Sequence, residues 1–182
     1  MFSIRQNFFE TNSSSVHALV IPKNTPIHIP KRVVLQGGEY GWEFEERYDT
    51  LDYIYETCVH RGRDELDKFF AYLKRKGVEE IYAPEINWAK DEDDGEEYYY
   101  AKDHDGYVDH SEEVPLETLF TREDLLDRFC FGEGSYVQTG TDNCDDDSLR
   151  AKVCLTVQNK QGQYVESHYY NLDEVDVIQK SN

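Results

Sequence analysis

The chain has 182 residues, 38 acidic and 19 basic, for a formal net charge of −19. A chain this acidic repels phosphate backbones at long range, which excludes ordinary whole-surface nucleic-acid binding and favours a basic partner. Its 14 Tyr, 9 Phe and 2 Trp exclude a wholly disordered chain and supply volume for one core.

The charge is unevenly placed. Residues 1–42 hold Arg5, Lys23, Lys31 and Arg32 against Glu10 and Glu39, so the remainder carries −21. Residues 91–113 contain eleven acids and one lysine. Cys58, Cys130, Cys144 and Cys154 form no C-x-x-C pair, and their spacing resembles no zinc ribbon. They read as reduced thiols. The opening residues show no basic region followed by an apolar stretch, and no apolar run approaches the roughly 20 residues that cross a bilayer. A cytoplasmic protein without membrane contact is expected, with one domain over residues 1–182.

In chain order, Val16 to Ile21 reads as a strand ended by Pro22. Pro22, Pro26 and Pro30 mark an extended connector, and Val33 to Leu35 a second strand before the Gly37-Gly38 turn. Leu51, Ile54, Tyr55, Cys58 and Val59 recur on one helical face, with Asp49 or Thr50 as N-cap. Leu66, Phe69, Phe70 and Leu73 repeat the pattern in a second helix, stopped at Gly77. Val78 to Ala83 is a strand. Residues 89–113 lack apolar periodicity and read as a long acidic loop or insertion. Thr121-Arg-Glu-Asp124 opens a third helix with Leu125, Leu126 and Phe129 inward. Val153 to Val157 and Tyr164 to Tyr170 form a hairpin about a turn at 159–162, and Val175 to Ile178 a last strand. Helices near 50–61, 64–76 and 122–131, with strands interrupted in blocks, predict an α+β fold with a mainly antiparallel sheet.

Three polar strings carry candidate chemistry. Ser13, Ser14, Ser15 and His17 place hydroxyls and an imidazole beside the first strand, where they suit a phosphate and acid–base work. They equally suit a polar turn that bonds its own backbone. Asp103-His-Asp-Gly-Tyr-Val-Asp-His-Ser111 alternates Asp and His as a divalent-metal loop does. It fails the twelve-residue calcium pattern, because Val114 stands at the last position. A solvated acidic turn explains it as well. Asp142 and Asn143 end a third string and are followed by Asp145, Asp146 and Asp147. Asp109, His110, Asp142 and Asn143 would join the serines and His17 in a composite site for a nucleotide or phosphoryl substrate. No phosphate-binding loop, nucleophile elbow or dinucleotide fingerprint is present. No cofactor and no metal ligand set is assigned. Arg61, Arg63, Lys68, Lys74, Arg75 and Lys76 are the one basic cluster able to touch nucleic acid, diluted by Asp64, Glu65 and Asp67.

The string Arg5-Gln-Asn-Phe-Phe-Glu-Thr-Asn-Ser-Ser-Ser-Val-His17 resembles the opening of a family of small proteins from bacteriophages and Firmicutes mobile elements. Gly106-Tyr-Val-Asp-His-Ser111 and Ser135-Tyr-Val-Gln-Thr-Gly-Thr-Asp-Asn143 are similar to two further stretches of it. At Thr141 the chain departs from the pattern, where Asn is expected. The resemblance implies a host-defence evasion protein in the cytoplasm of a host bacterial cell, of the anti-CRISPR kind that inhibits type II effector nucleases. It supplies no reaction.

The expected function is therefore inhibition by DNA mimicry, with no catalysis. Asp91, Glu92, Asp93, Asp94, Glu96, Glu97, Asp145, Asp146 and Asp147 would occupy a basic channel of the effector. Tyr98, Tyr99 and Tyr100 would add anchors beside them. The alternative is a small enzyme acting through the Ser/His/Asp/Asn strings.

Overall fold

The computed structural model describes residues 15–41, 43, 45–93, 96–141, 155–158, 164–167 and 174–179. The fold is α+β, with a mainly antiparallel strand set, as the sequence pattern predicts. Its central sheet runs in the order β12-β1-β9-β4, formed by Val175–Gln179, Ser15–Pro22, Tyr136–Thr141 and Glu45–Arg47. All three pairings are antiparallel and join the early, middle and late parts of the described chain.

The apolar run of β1 explains its central place. Leu19 and Ile21 belong to the main core, whereas Ala18 and Val20 pack with Tyr136, Val175 and Val177 in a smaller cluster. A strand covered on both faces needs a continuous apolar stretch rather than alternation. It ends at Pro22, whose nitrogen has no hydrogen to donate.

Helix α1 (Thr50–Arg61) lies at the centre of the core. Tyr53, Ile54, Tyr55, Glu56, Thr57, Cys58 and Val59 are all fully buried, which is more than the one face its periodicity marks. Asp49 occupies the N-cap position without capping: its carboxylate accepts from Arg47 and from the Tyr40 hydroxyl. A single residue, Gly62, separates α1 from α2 (Arg63–Arg75). Its φ of 108° lies in a region that side chains with a Cβ avoid, so the tight turn depends on glycine. Leu66, Phe69, Tyr72 and Leu73 bury the inner face of α2. Burial pushes the thiols of Cys58 and Cys130 up, and both are unbridged.

Two short parallel pairs tie loops to this core. β2 (Arg32–Val34) pairs with β5 (Glu80–Tyr82), and β3 (Glu39–Tyr40) with β8 (Tyr107–Val108). The acidic stretch differs from the expected loop. Asn87–Asp93 and Glu96–Lys102 pair as an antiparallel hairpin, β6–β7, because Trp88 and the tyrosine run give each strand bulky residues suited to pairing. A 3-10 turn at Ser111–Glu113 follows, the expected helix near 122–131 is α4 (Glu123–Phe131), and an unexpected short helix, α3 (Leu116–Thr121), precedes it. Thr121 closes α3 instead of opening the next helix, and its hydroxyl bonds back to the Glu117 carbonyl. β10 (Leu155–Gln158) and β11 (Tyr164–Ser167) form the expected hairpin.

One polar atom in this core stands out. The Tyr55 hydroxyl is buried with no hydrogen-bond partner among the described residues, while its ring stacks 6.4 Å from Phe70. Removing a hydroxyl that makes no bond deletes its desolvation cost and keeps the ring. Tyr55→Phe is therefore expected to leave stability unchanged or raise it by up to about 1–2 kcal/mol in urea unfolding. A loss of more than about 1 kcal/mol would show that the hydroxyl has a partner.

Candidate functional site

Asp91, Glu92, Asp93, Glu96 and Glu97 occupy ladder positions at the distal end of the β6–β7 hairpin. Its register sets Asp91 opposite Tyr98, Glu92 opposite Glu97 and Asp93 opposite Glu96. Like charges at directly opposed ladder positions are destabilising. The root is anchored by packing. Arg63 of α2 lies over the Tyr99 ring at 5.7 Å, and the Tyr99 carbonyl sits 3.0 Å from where a Cβ on Gly62 would be. Tyr98 and Tyr100 share the other face, with ring centroids 6.2 Å apart. All three tyrosines are exposed. Asp94, Asp145, Asp146 and Asp147 lie outside the described residues.

Two of the three polar strings pair along the backbone, and the third is tied to β3. Ser15 pairs with Thr141 and His17 with Thr139 across β1 and β9. The Asp109 amide donates to the Tyr40 carbonyl, next to Gly41. His17 itself belongs to the interior, with no exposed surface. Its Nε2 bonds the Gly41 carbonyl at 3.1 Å, and its Nδ1 lies 3.1 Å from the Tyr53 hydroxyl. A carbonyl only accepts, so Nε2 carries a proton, and neutral His17 accepts at Nδ1 from Tyr53. With both nitrogens engaged in the core, His17 has no open face for a substrate. His110 is 41% exposed, in the left-handed region at φ 50°, with Glu112 3.4 Å from Nδ1. Ser13, Ser14, Asp142 and Asn143 lie outside the described residues.

A different group of titratable side chains comes together beside α1. Glu56 is completely buried, and its Oε1 lies 2.5 Å from His104 Nε2 and 3.5 Å from His60 Nε2. Its Oε2 accepts from the Gly38 amide at 3.2 Å. His60 Nε2 also donates to the Gly106 carbonyl at 2.7 Å. The Glu56 carboxylate, and then the Gly106 carbonyl, hold the His60 imidazolium against deprotonation and raise its pKa. The donor atoms of Glu56, His60 and His104 lie within 4.8 Å of one another. Among the described residues these three form the group able to hold a cation. The sequence carries two traces of them: Glu-x-x-x-His places both groups on one helical face, and His104 falls inside the Asp103–Ser111 string.

The basic cluster is largely engaged within the molecule. Arg61 donates to the carbonyls of Glu112 and Val114, and Lys68 pairs with Glu65. Arg75 and Lys76 pair with Glu123, and Lys76 also with Asp127. Arg63 covers Tyr99 near Asp67. Lys74 lines a groove of about 710 Å³ with Leu66, Phe70, Ile81, Tyr82 and Trp88.

The geometry of His17 separates a structural role from a catalytic one. His17→Ala is expected to cost about 2–4 kcal/mol in urea unfolding, from the cavity and from the unpaired Gly41 carbonyl and Tyr53 hydroxyl. Any change in function should follow the fraction folded. Loss of function at full stability would return His17 to catalysis.

No protein-family model matches the chain, and no curated protein or solved structure matches it. Among the described residues no helix is long and apolar enough to cross a membrane.

Proposed function

We propose that this chain is a non-catalytic binding protein whose acidic hairpin docks on the nucleic-acid-holding surface of a basic partner protein. The observation that carries the reading is the hairpin register, which concentrates Glu92 opposite Glu97 and Asp93 opposite Glu96 on one ordered end. A chain of net charge −19 gains nothing in its own fold from such pairs, but a Lys- and Arg-lined channel converts their repulsion into attraction. Tyr98, Tyr99 and Tyr100 stand exposed beside the acids, and tyrosine is favoured at protein interfaces. The resemblance of the Arg5–His17 string to phage and mobile-element proteins directs the proposal to a host defence enzyme, a type II CRISPR effector nuclease. The carboxylates then stand in for DNA phosphates, and inhibition is competitive. Complementary charge speeds association and makes it salt-sensitive.

Two sets of substitutions test this. Reversing Asp91, Glu92, Asp93, Asp94, Glu96 and Glu97 to Lys should slow association with the purified effector by about tenfold or more at low salt. The difference should shrink above about 0.15 M salt, where charges are screened beyond about 8 Å. Milder changes separate binding from folding. Glu96→Gln with Glu97→Gln removes both opposed pairs and should raise stability by about 0.2–1 kcal/mol for each pair relieved. The same double variant should bind the effector more weakly. Inhibition at full strength by the charge-reversed protein, with a normal thermal melt, would overturn the reading.

A further inference from the structure

We propose that Glu56, His60 and His104 form a binding site for a divalent transition-metal ion of the zinc class. Glu56 and His60 stand one turn apart on α1, so their side chains leave the helix on the same side. His104 arrives from the segment between β7 and β8 and presents Nε2 to the same carboxylate oxygen that His60 Nε2 approaches. Two imidazole nitrogens and one carboxylate oxygen thus converge on a common point. Tetrahedral zinc, bound at about 2.0–2.1 Å, needs donor atoms about 3.3–3.4 Å apart. The 3.5 Å separation of Glu56 Oε1 from His60 Nε2 already has this value, and the 2.5 Å approach of His104 has to open by less than an ångström.

The surroundings suit a cation in place of the protons that now match the Glu56 carboxylate. A carboxylate with no exposed surface keeps its charge only if that charge is matched. The backbone has also made room for it. A Cβ on Gly37 or Gly106 would overlap the Glu56 carboxylate, and the Gly38 amide donates to the second oxygen, which fixes the first toward the imidazoles. The rims differ in access: the His60 side chain is 32% exposed and His104 13%. An ion therefore enters from the His60 side. Nitrogen-rich donors select zinc, cobalt, nickel and copper over magnesium and calcium, which need more oxygens. On binding, the Nε2 protons that His60 gives to the Gly106 carbonyl and His104 gives to the Glu56 carboxylate both leave to solvent, and the ion takes their place. Three protein donors leave one tetrahedral position for water.

The ion would join α1 to residues 103–106, which continue directly from β7, and so fix the root of the acidic hairpin. The site does not depend on the docking proposal, since metal binding is measured without a partner. Full-length protein stripped with a chelator should bind one zinc ion per chain in titration calorimetry and give a cobalt(II) visible spectrum of a four- or five-coordinate site. Zinc should raise the melting temperature, reversibly on adding chelator. His60→Gln keeps an amide donor for the Gly106 carbonyl at a half-exposed position, so it should fold normally. It should weaken zinc binding by about a hundredfold or more, as should His104→Ala, because even indirect partners of a metal ligand are worth about 10–100-fold. His110→Ala, outside the cluster, should bind as the unaltered protein does. Absence of zinc binding in the unaltered protein would overturn the proposal. So would equal affinity in folded His60→Gln, or loss of binding in His110→Ala alone.

Discussion

The structure depends on the burial of helix α1. A helix enclosed on several sides needs partners for the polar groups it carries inward, because an unmatched buried group costs more than a hydrogen bond contributes, and the Tyr55 hydroxyl is its one exception among the described residues. Tyr53 meets that demand through His17 of β1, which ties the helix to the sheet. Thr57 bonds back to the Tyr53 carbonyl within the helix. Glu56 meets it through the Gly38 amide and the two imidazoles, which draws in β3 on one side and the segment before β8 on the other. Loops that would otherwise be independent of the core become part of its polar lining, and the acidic hairpin grows from one of them.

The same interior explains what the sequence could show. The limits of α1 and α2, the glycine that stops α2 and the central strand β1 were legible because each rests on local chemistry: periodicity, a breaker, an apolar run. Glu56 was not, since a glutamate between Tyr55 and Thr57 in a helix reads as a solvent-facing position. His104 lay in a string that drew attention for its alternating Asp and His, but its partner Glu56 is 48 residues away and spacing cannot bring them together. His17 drew attention for its serines, and its real neighbours, Tyr53 and Gly41, are set by tertiary packing. The parallel pairs β2–β5 and β3–β8 escaped for the same reason, because each is only two or three residues long. The β6–β7 hairpin was hidden by its acids, which mask the strand character of Tyr98, Tyr99 and Tyr100.

Charge divides the surface into two regimes. On α2 the positive groups are held by neighbours: Lys68 by Glu65, Arg75 by Glu123, Lys76 by Glu123 and Asp127. These contacts add stability only modestly where exposed, but they cancel the local positive field. The hairpin register sets acids opposite acids at its distal end. Such an arrangement makes sense as a steering surface, where field strength governs how fast a basic partner is met. In the proposed docking, the tyrosines beside it would supply apolar contact after encounter.

The central claim is that the acidic hairpin and DNA compete for one basic surface. Equilibrium binding of labelled duplex DNA to a purified, guide-loaded type II effector, titrated with this protein, tests it most directly. The account predicts full displacement of the duplex, with an apparent inhibition constant that rises in proportion to DNA concentration. A stable complex holding effector, duplex and this protein together would contradict it.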